Sequence, residues 1–117
     1  MAQYLIEVGY TPESWAHQIR EQGNVVDRIH PMVDSCGGRI ESLFYAFGDH
    51  DLVGIVDFPT PEQAAAFSLA ATSGGAVRSF RTTPLMTVEQ GLMAMRRADE
   101  AAATYRPPVD APAQHRS

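Results

Sequence analysis

Two strand-like stretches of this chain run into the same tripeptide, and the repetition restricts what it can fold into. Residues 2–9 alternate, with Tyr4, Ile6 and Val8 set against Leu5 and Glu7, the period of two that marks a strand. Thr11-Pro12-Glu13 follows at once. Residues 51–58 are rich in Val and Ile, and Thr60-Pro61-Glu62 follows them. A threonine hydroxyl placed to accept a first-turn N–H, with proline preset at the first helical position, starts a helix. A strand therefore leads directly into a helix twice, and Gln63, three residues after Thr60, strengthens the second start as in a capping box.

The remaining segments fall between these units. The first helix is expected to bury Trp15 and Ile19 before Gly23-Asn24 interrupts it. Val25, Val26, Ile29, Met32, Val33 and Cys36 then mark one helical face that stops at Gly37-Gly38, with Pro31 expected to kink it. Residues 39–47 and 51–58 read as a hairpin joined by Gly48-Asp49-His50, and an Ala-rich helix runs to Ala71 and ends at Gly74-Gly75. A strand over 77–83 and a capped helix from Thr87 complete the folded part. At 117 residues and 12.8 kDa there is material for one core. The order strand, helix, strand, strand, helix, strand, with an added C-terminal helix, is the α+β arrangement called ferredoxin-like. It is expected to occupy residues 1–105, followed by a mobile Pro-rich tail over 106–117.

Charge and composition narrow the chemistry. Nine arginines and no lysine against fourteen acidic residues leave a net charge of −5, which argues against a phosphate-tracking nucleic-acid binder and excludes Schiff-base lysine chemistry. The lone Cys36 excludes an intrachain disulfide and a multi-cysteine metal cluster, and on its apolar stripe it reads as a small hydrophobe. His17 and His30 lie in separate helical segments with no third ligand placed by spacing, so neither a metal nor a cofactor is expected. No apolar run reaches membrane-spanning length and the first residues lack the pattern of an export leader, so the expected compartment is the cytoplasm. Helices on one side of a four-stranded sheet leave the other side bare. Leu5, Leu43, Tyr45, Phe47, Val53 and Ile55 are expected there, an apolar patch that a second copy of the chain would cover.

Gly48-Asp49-His50-Asp51 followed by Leu52-Val53-Gly54-Ile55-Val56-Asp57 resembles the signature of the GYD domain family, named for a Gly, Tyr, Asp pattern at the start of the third strand. Tyr10-Thr11-Pro12-Glu13, Gly37-Gly38, Gly74-Gly75-Ala76-Val77 and Thr83-Pro84-Leu85-Met86-Thr87 extend the likeness from residue 4 to about residue 97. His50 departs from it, standing where the family usually has tyrosine. The resemblance implies a dimeric α+β barrel and little chemistry. Relatives by fold include cofactor-free monooxygenases, isomerases, haem enzymes and ligand-sensing domains, so function carries over only as analogy.

Two acid–base groupings stand out. Glu7 and Asp57, on strands taken as adjacent and parallel, fall at matching ends and would be desolvated together inside a barrel, or solvated and paired with Arg78 or Arg81 at its rim. His50 beside Asp51 is an imidazole–carboxylate pair in a tight connection, where it serves either proton transfer or turn geometry. Tyr10 and Trp15 bracket the first helix start, and Tyr45 and Phe47 are placed on the bare face. These four are the candidate ligand-lining residues, against the alternative that they are core. Three functions fit: a homo-oligomeric module binding a small apolar or aromatic molecule in the barrel, a cofactor-independent monooxygenase or isomerase using acid–base residues in the barrel, or an assembly protein with a packed interior. The absence of a strong catalytic motif ranks binding first.

Overall fold

The caps form as their residue types dictate. Thr11 accepts from the Ser14 N–H at 3.1 Å and opens α1 (Pro12–Glu21) directly after β1 (Ala2–Tyr10). Asn24 accepts from Val26 at 2.8 Å and opens α2 (Val25–Ser35), which carries Pro31 inside it and closes on Gly37 at φ 71°. The hairpin of β2 (Arg39–Tyr45) and β3 (Leu52–Phe58) leads to α3 (Pro61–Ser73), capped by Thr60, and then to β4 (Val77–Pro84). Thr87 and Gln90 form a reciprocal capping box at the start of α4 (Val88–Ala102). The computed structural model describes residues 1–109. The expected tail over 106–117 lies mostly outside them. The described chain divides into one unit over Met1–Leu85 and a second, beginning at Met86, that carries α4. No helix among the described residues is long and apolar enough to cross a membrane.

The sheet order is β2-β3-β1-β4, with the first and third strands central as the ferredoxin-like reading requires. Every neighbouring pair is antiparallel. This corrects the parallel relation expected of β1 and β3: β2 returns in the direction of β1 after the helical crossover, and the hairpin then reverses β3. Gln3 consequently opposes Asp57 and Glu7 opposes Val53. Glu7 and Asp57 share a face but sit four residues apart along the ladder, about 13 Å at the strand rise. They are at opposite ends, not matching ones.

Alternation along β1 places Tyr4, Ile6, Val8 and Tyr10 on the helix-covered side. There they join Leu52, Val56 and Phe58 of β3, Val25 and Val33 of α2, and Ala64 and Phe67 of α3 in one buried cluster. Phe58 is 0% exposed, with its ring 5.9 Å from Tyr4 and 5.4 Å from Phe67. α1 meets the sheet through Trp15, whose ring lies 5.4 Å from Tyr10 and 6.2 Å from Tyr45. Ile19, expected to be buried, is one turn further on and exposed.

β2 breaks its own alternation. Ile40 opposes Val56 and Ser42 opposes Ile55, so Glu41 is an extra residue in a bulge. Beyond it the faces are exchanged. Leu43 and Tyr45, expected on the bare face, turn to the helix-covered side opposite Gly54 and Leu52, and Phe44 replaces them outside at 62% exposure. Phe47, also expected on the bare face, lies beyond β2 in the connection, at φ 55° and stacked on Tyr45. The bare face thus carries Leu5, Val53, Ile55 and Phe44.

Gly54 makes the bulge possible. A Cβ there would run into the Ser42 carbonyl and lie 2.8 Å from Leu43 Cδ1. Alanine ordinarily stabilises a strand relative to glycine by about 0.5–1 kcal/mol. Gly54→Ala is expected to do the reverse and cost about 2 kcal/mol, because backbone rather than a flexible side chain must yield. Urea unfolding measures this. An unchanged or raised midpoint would show that the bulge does not need the glycine.

Candidate functional site

The end of β1 leaves a donor without a strand partner, because the register against β4 shifts between Gly9 and Tyr10. Asp51 supplies the acceptor. Its Oδ2 takes the Tyr10 N–H at 2.8 Å and the Trp15 indole N–H at 3.3 Å, with the Arg78 guanidinium at 3.7 Å. Backbone bonds from Asp51 N to Val8 O and from Ala46 N to Asp51 O tie the same point to β1 and to the residue that follows β2. Asp51 is a brace holding the β2–β3 connection, the end of β1 and α1 together, and its carboxylate serves these donors rather than the neighbouring imidazole.

His50 turns instead to Glu7. Its Nε2 lies 3.2 Å from Glu7 Oε2, both side chains are 22% exposed, and its Nδ1 is buried with no hydrogen-bond partner. Arg81 stands opposite Glu7 in the ladder. At the other end of that face Asp57 is buried, with Oδ2 accepting from Arg39 at 2.9 Å and Oδ1 without a partner. Arg39 also reaches Glu41 at 3.0 Å, and its hydrogen bond to Asp57 holds the guanidinium still more firmly protonated. The four acid–base candidates therefore separate into a Glu7–His50 pair, a bracing Asp51 and an Asp57–Arg39 ion pair.

The opposite side of the sheet holds a cavity of about 170 Å³. Ile6, Val8, Leu43, Leu52 and Val56 form its sheet wall, Ile29 and Met32 of α2 and Phe67 of α3 face them, and Val77 and Phe80 come from β4. Two polar groups reach it, Tyr10 and Arg28. Arg28 Nη2 donates to the Tyr10 hydroxyl at 3.4 Å and to Gln18 Oε1 at 3.1 Å. Tyr10, Arg28 and Ala76 also border a wider outer basin lined by Ser14, His17, Gln18 and Asp27. Arg28 thus stands where an apolar interior opens to a polar exterior.

Of the four ligand-lining candidates, Tyr10 borders this cavity. Trp15, Tyr45 and Phe47 form a separate aromatic cluster, with Phe47 tilted against Trp15 at 5.9 Å and stacked on Tyr45 at 5.6 Å, and Trp15 and Phe47 line a shallow open hollow with Ile19 and Asp51. Arg28, Met32 and Leu43 were not among the candidates. Arg28 was detectable in principle: Val25, Arg28 and Met32 are three and four residues apart, so the arginine falls within the apolar stripe of α2. Leu43 was hidden by the bulge. Among the described residues no cluster of three His, Cys, Asp or Glu side chains is arranged to hold a metal ion.

Burial pushes the Tyr10 phenol above its ordinary value, and the hydrogen bond from Arg28 opposes that rise. An unfolded phenol ionises near pH 10. The folded state keeps its proton to higher pH, so this contribution is intact below about pH 10, is lost above it, and levels off beyond the folded value. Tyr10→Phe removes that slope. The stability difference between parent and variant in urea melts is expected to be constant to about pH 9 and to shift in favour of the variant above pH 10. A difference independent of pH from 8 to 11 would show that Tyr10 is not desolvated.

No curated protein matches the chain. The GYD domain matches residues 4–95, which takes in β1 from Tyr4 onward, the other three strands, the Asp51 brace and the whole lining of the cavity, and the chain belongs to that family.

Proposed function

We propose that this GYD domain binds a small apolar or aromatic molecule in the cavity between its sheet and helices α2 and α3, and that two copies pair through the bare face of the sheet. The observation that carries the first part is the cavity itself. Natural cores leave few voids larger than a water molecule, and an apolar space of this size gains dispersion contacts when an apolar molecule fills it. An acid–base enzyme would need its proton-transfer pair inside that space. Glu7 and His50 lie on the other face of the sheet, and this separation favours binding over catalysis.

Indole is a suitable first probe. It is expected to raise the melting temperature saturably, by the equivalent of about 2.7 kcal/mol at a hundred times its dissociation constant. Leu43→Trp, which fills the cavity from its sheet wall, should keep the fold and abolish the effect. Unaltered indole binding by the filled variant would remove the cavity as the site.

Self-pairing is supported by apolar area that one copy leaves in water: Phe44 is 62% exposed and Leu5, Val53 and Ile55 are half-buried beside it. At ~25 cal/mol per Å² its burial against a second copy favours association. Sedimentation equilibrium at micromolar concentration should give twice 12.8 kDa, and Phe44→Asp should give 12.8 kDa. A parent already at the single-chain mass would sink the pairing.

A further inference from the structure

We infer that the ligand of this cavity is an amphiphile with one carboxylate, its tail inside and its carboxylate held at the mouth by Arg28 and Tyr10. The inference rests on the binding reading above and adds the head group. Arg28 makes no ion pair within 4 Å among the described residues. Its two hydrogen bonds go to neutral oxygens of Tyr10 and Gln18, both from Nη2. A guanidinium has five N–H donors in a planar fork matched to a carboxylate. The Tyr10 hydroxyl accepts from Arg28 and so keeps its own proton to give. Both donors border the apolar cavity and the outer basin, so a carboxylate at that boundary remains partly hydrated while its tail is not.

The surroundings limit the charge of the guest. Arg28 lies in the first turn of α2, where the helix dipole favours an anion. Glu21 and Asp27 line the outer basin, and the chain carries a net charge of −5. These acidic groups repel a phosphate or dicarboxylate more than a single negative charge. The lining inside is aliphatic and aromatic, with no further polar side chain to recognise a substituted tail.

A matched pair of probes separates the head group from the tail. 4-Phenylbutanoate and 4-phenylbutanol differ only in the terminal group, and each is titrated calorimetrically into the full chain at pH 7.5. The acid is expected to bind about tenfold more tightly, the scale of one charge-assisted hydrogen bond. Arg28→Gln, with unchanged circular dichroism, should bring the two affinities together by weakening the acid and leaving the alcohol unaltered. Equal binding of the two probes by the parent, or a preference that survives Arg28→Gln, would overturn the head-group assignment while leaving the binding reading standing. Failure of both probes to bind, with indole also inert, would overturn the binding reading itself.

Discussion

The extra residue in β2 governs what each side of the sheet can do. Without Glu41 in the bulge, strict alternation would send Leu43 and Tyr45 to the bare face and Phe44 to the helices. With it, Leu43 completes the sheet wall of the cavity, Tyr45 reaches Trp15 of α1, and Phe44 is left on the exposed face. The rearrangement is stabilised from β3, where Gly54 leaves room for the Ser42 carbonyl and the Leu43 side chain. One added residue and one absent Cβ thus set the composition of two surfaces.

Around this sheet the polar groups are apportioned by what the backbone leaves unpaired. The shift in register at the end of β1 frees an N–H, and Asp51 answers it while also taking the indole proton of Trp15. That commitment explains why the His50 imidazole and the Asp51 carboxylate, adjacent in sequence, are not hydrogen-bonded to each other. His50 is free to meet Glu7 on the bare face, and Asp57 is taken by Arg39 far from both. The charged side chains that remain near the cavity are those at its mouth. Among the described residues the cavity lining carries one guanidinium, that of Arg28, and it stands at the threshold.

Much of the fold was legible because it depends on local chemistry. Thr11, Thr60 and Thr87 cap helices where their hydroxyls and the following residues predict, and the strand order follows from the sequence of elements. The direction of β3 relative to β1 follows from the same order once the hairpin is traced, and it sets Glu7 and Asp57 at opposite ends of their face. The bulge was not legible. Arg39-Ile40-Glu41-Ser42-Leu43 alternates acceptably in either register, and the choice is made by Gly54 on a neighbouring strand. The site depends on the same long-range choice. Tyr10 was visible from its place before a helix start, whereas the cavity needs Leu43 from β2, Met32 from α2 and Phe67 from α3 to converge, and their sequence separation conceals this. Arg28 interrupts an apolar stripe, a local signal that becomes informative once the cavity beside it is known.

The bulge turns Leu43 inward and Phe44 outward, and both surfaces of the sheet follow from that exchange. Nuclear Overhauser spectroscopy of the methyl and aromatic groups tests it most directly. Cross-peaks are expected from the Leu43 methyls to Ile6 and Val56, and from the Phe44 ring to Val53 and Ile55. Cross-peaks joining Phe44 to Ile6 or Val56, with Leu43 seen beside Val53 and Ile55, would mean that β2 runs in unbroken alternation, and the cavity would lose its wall.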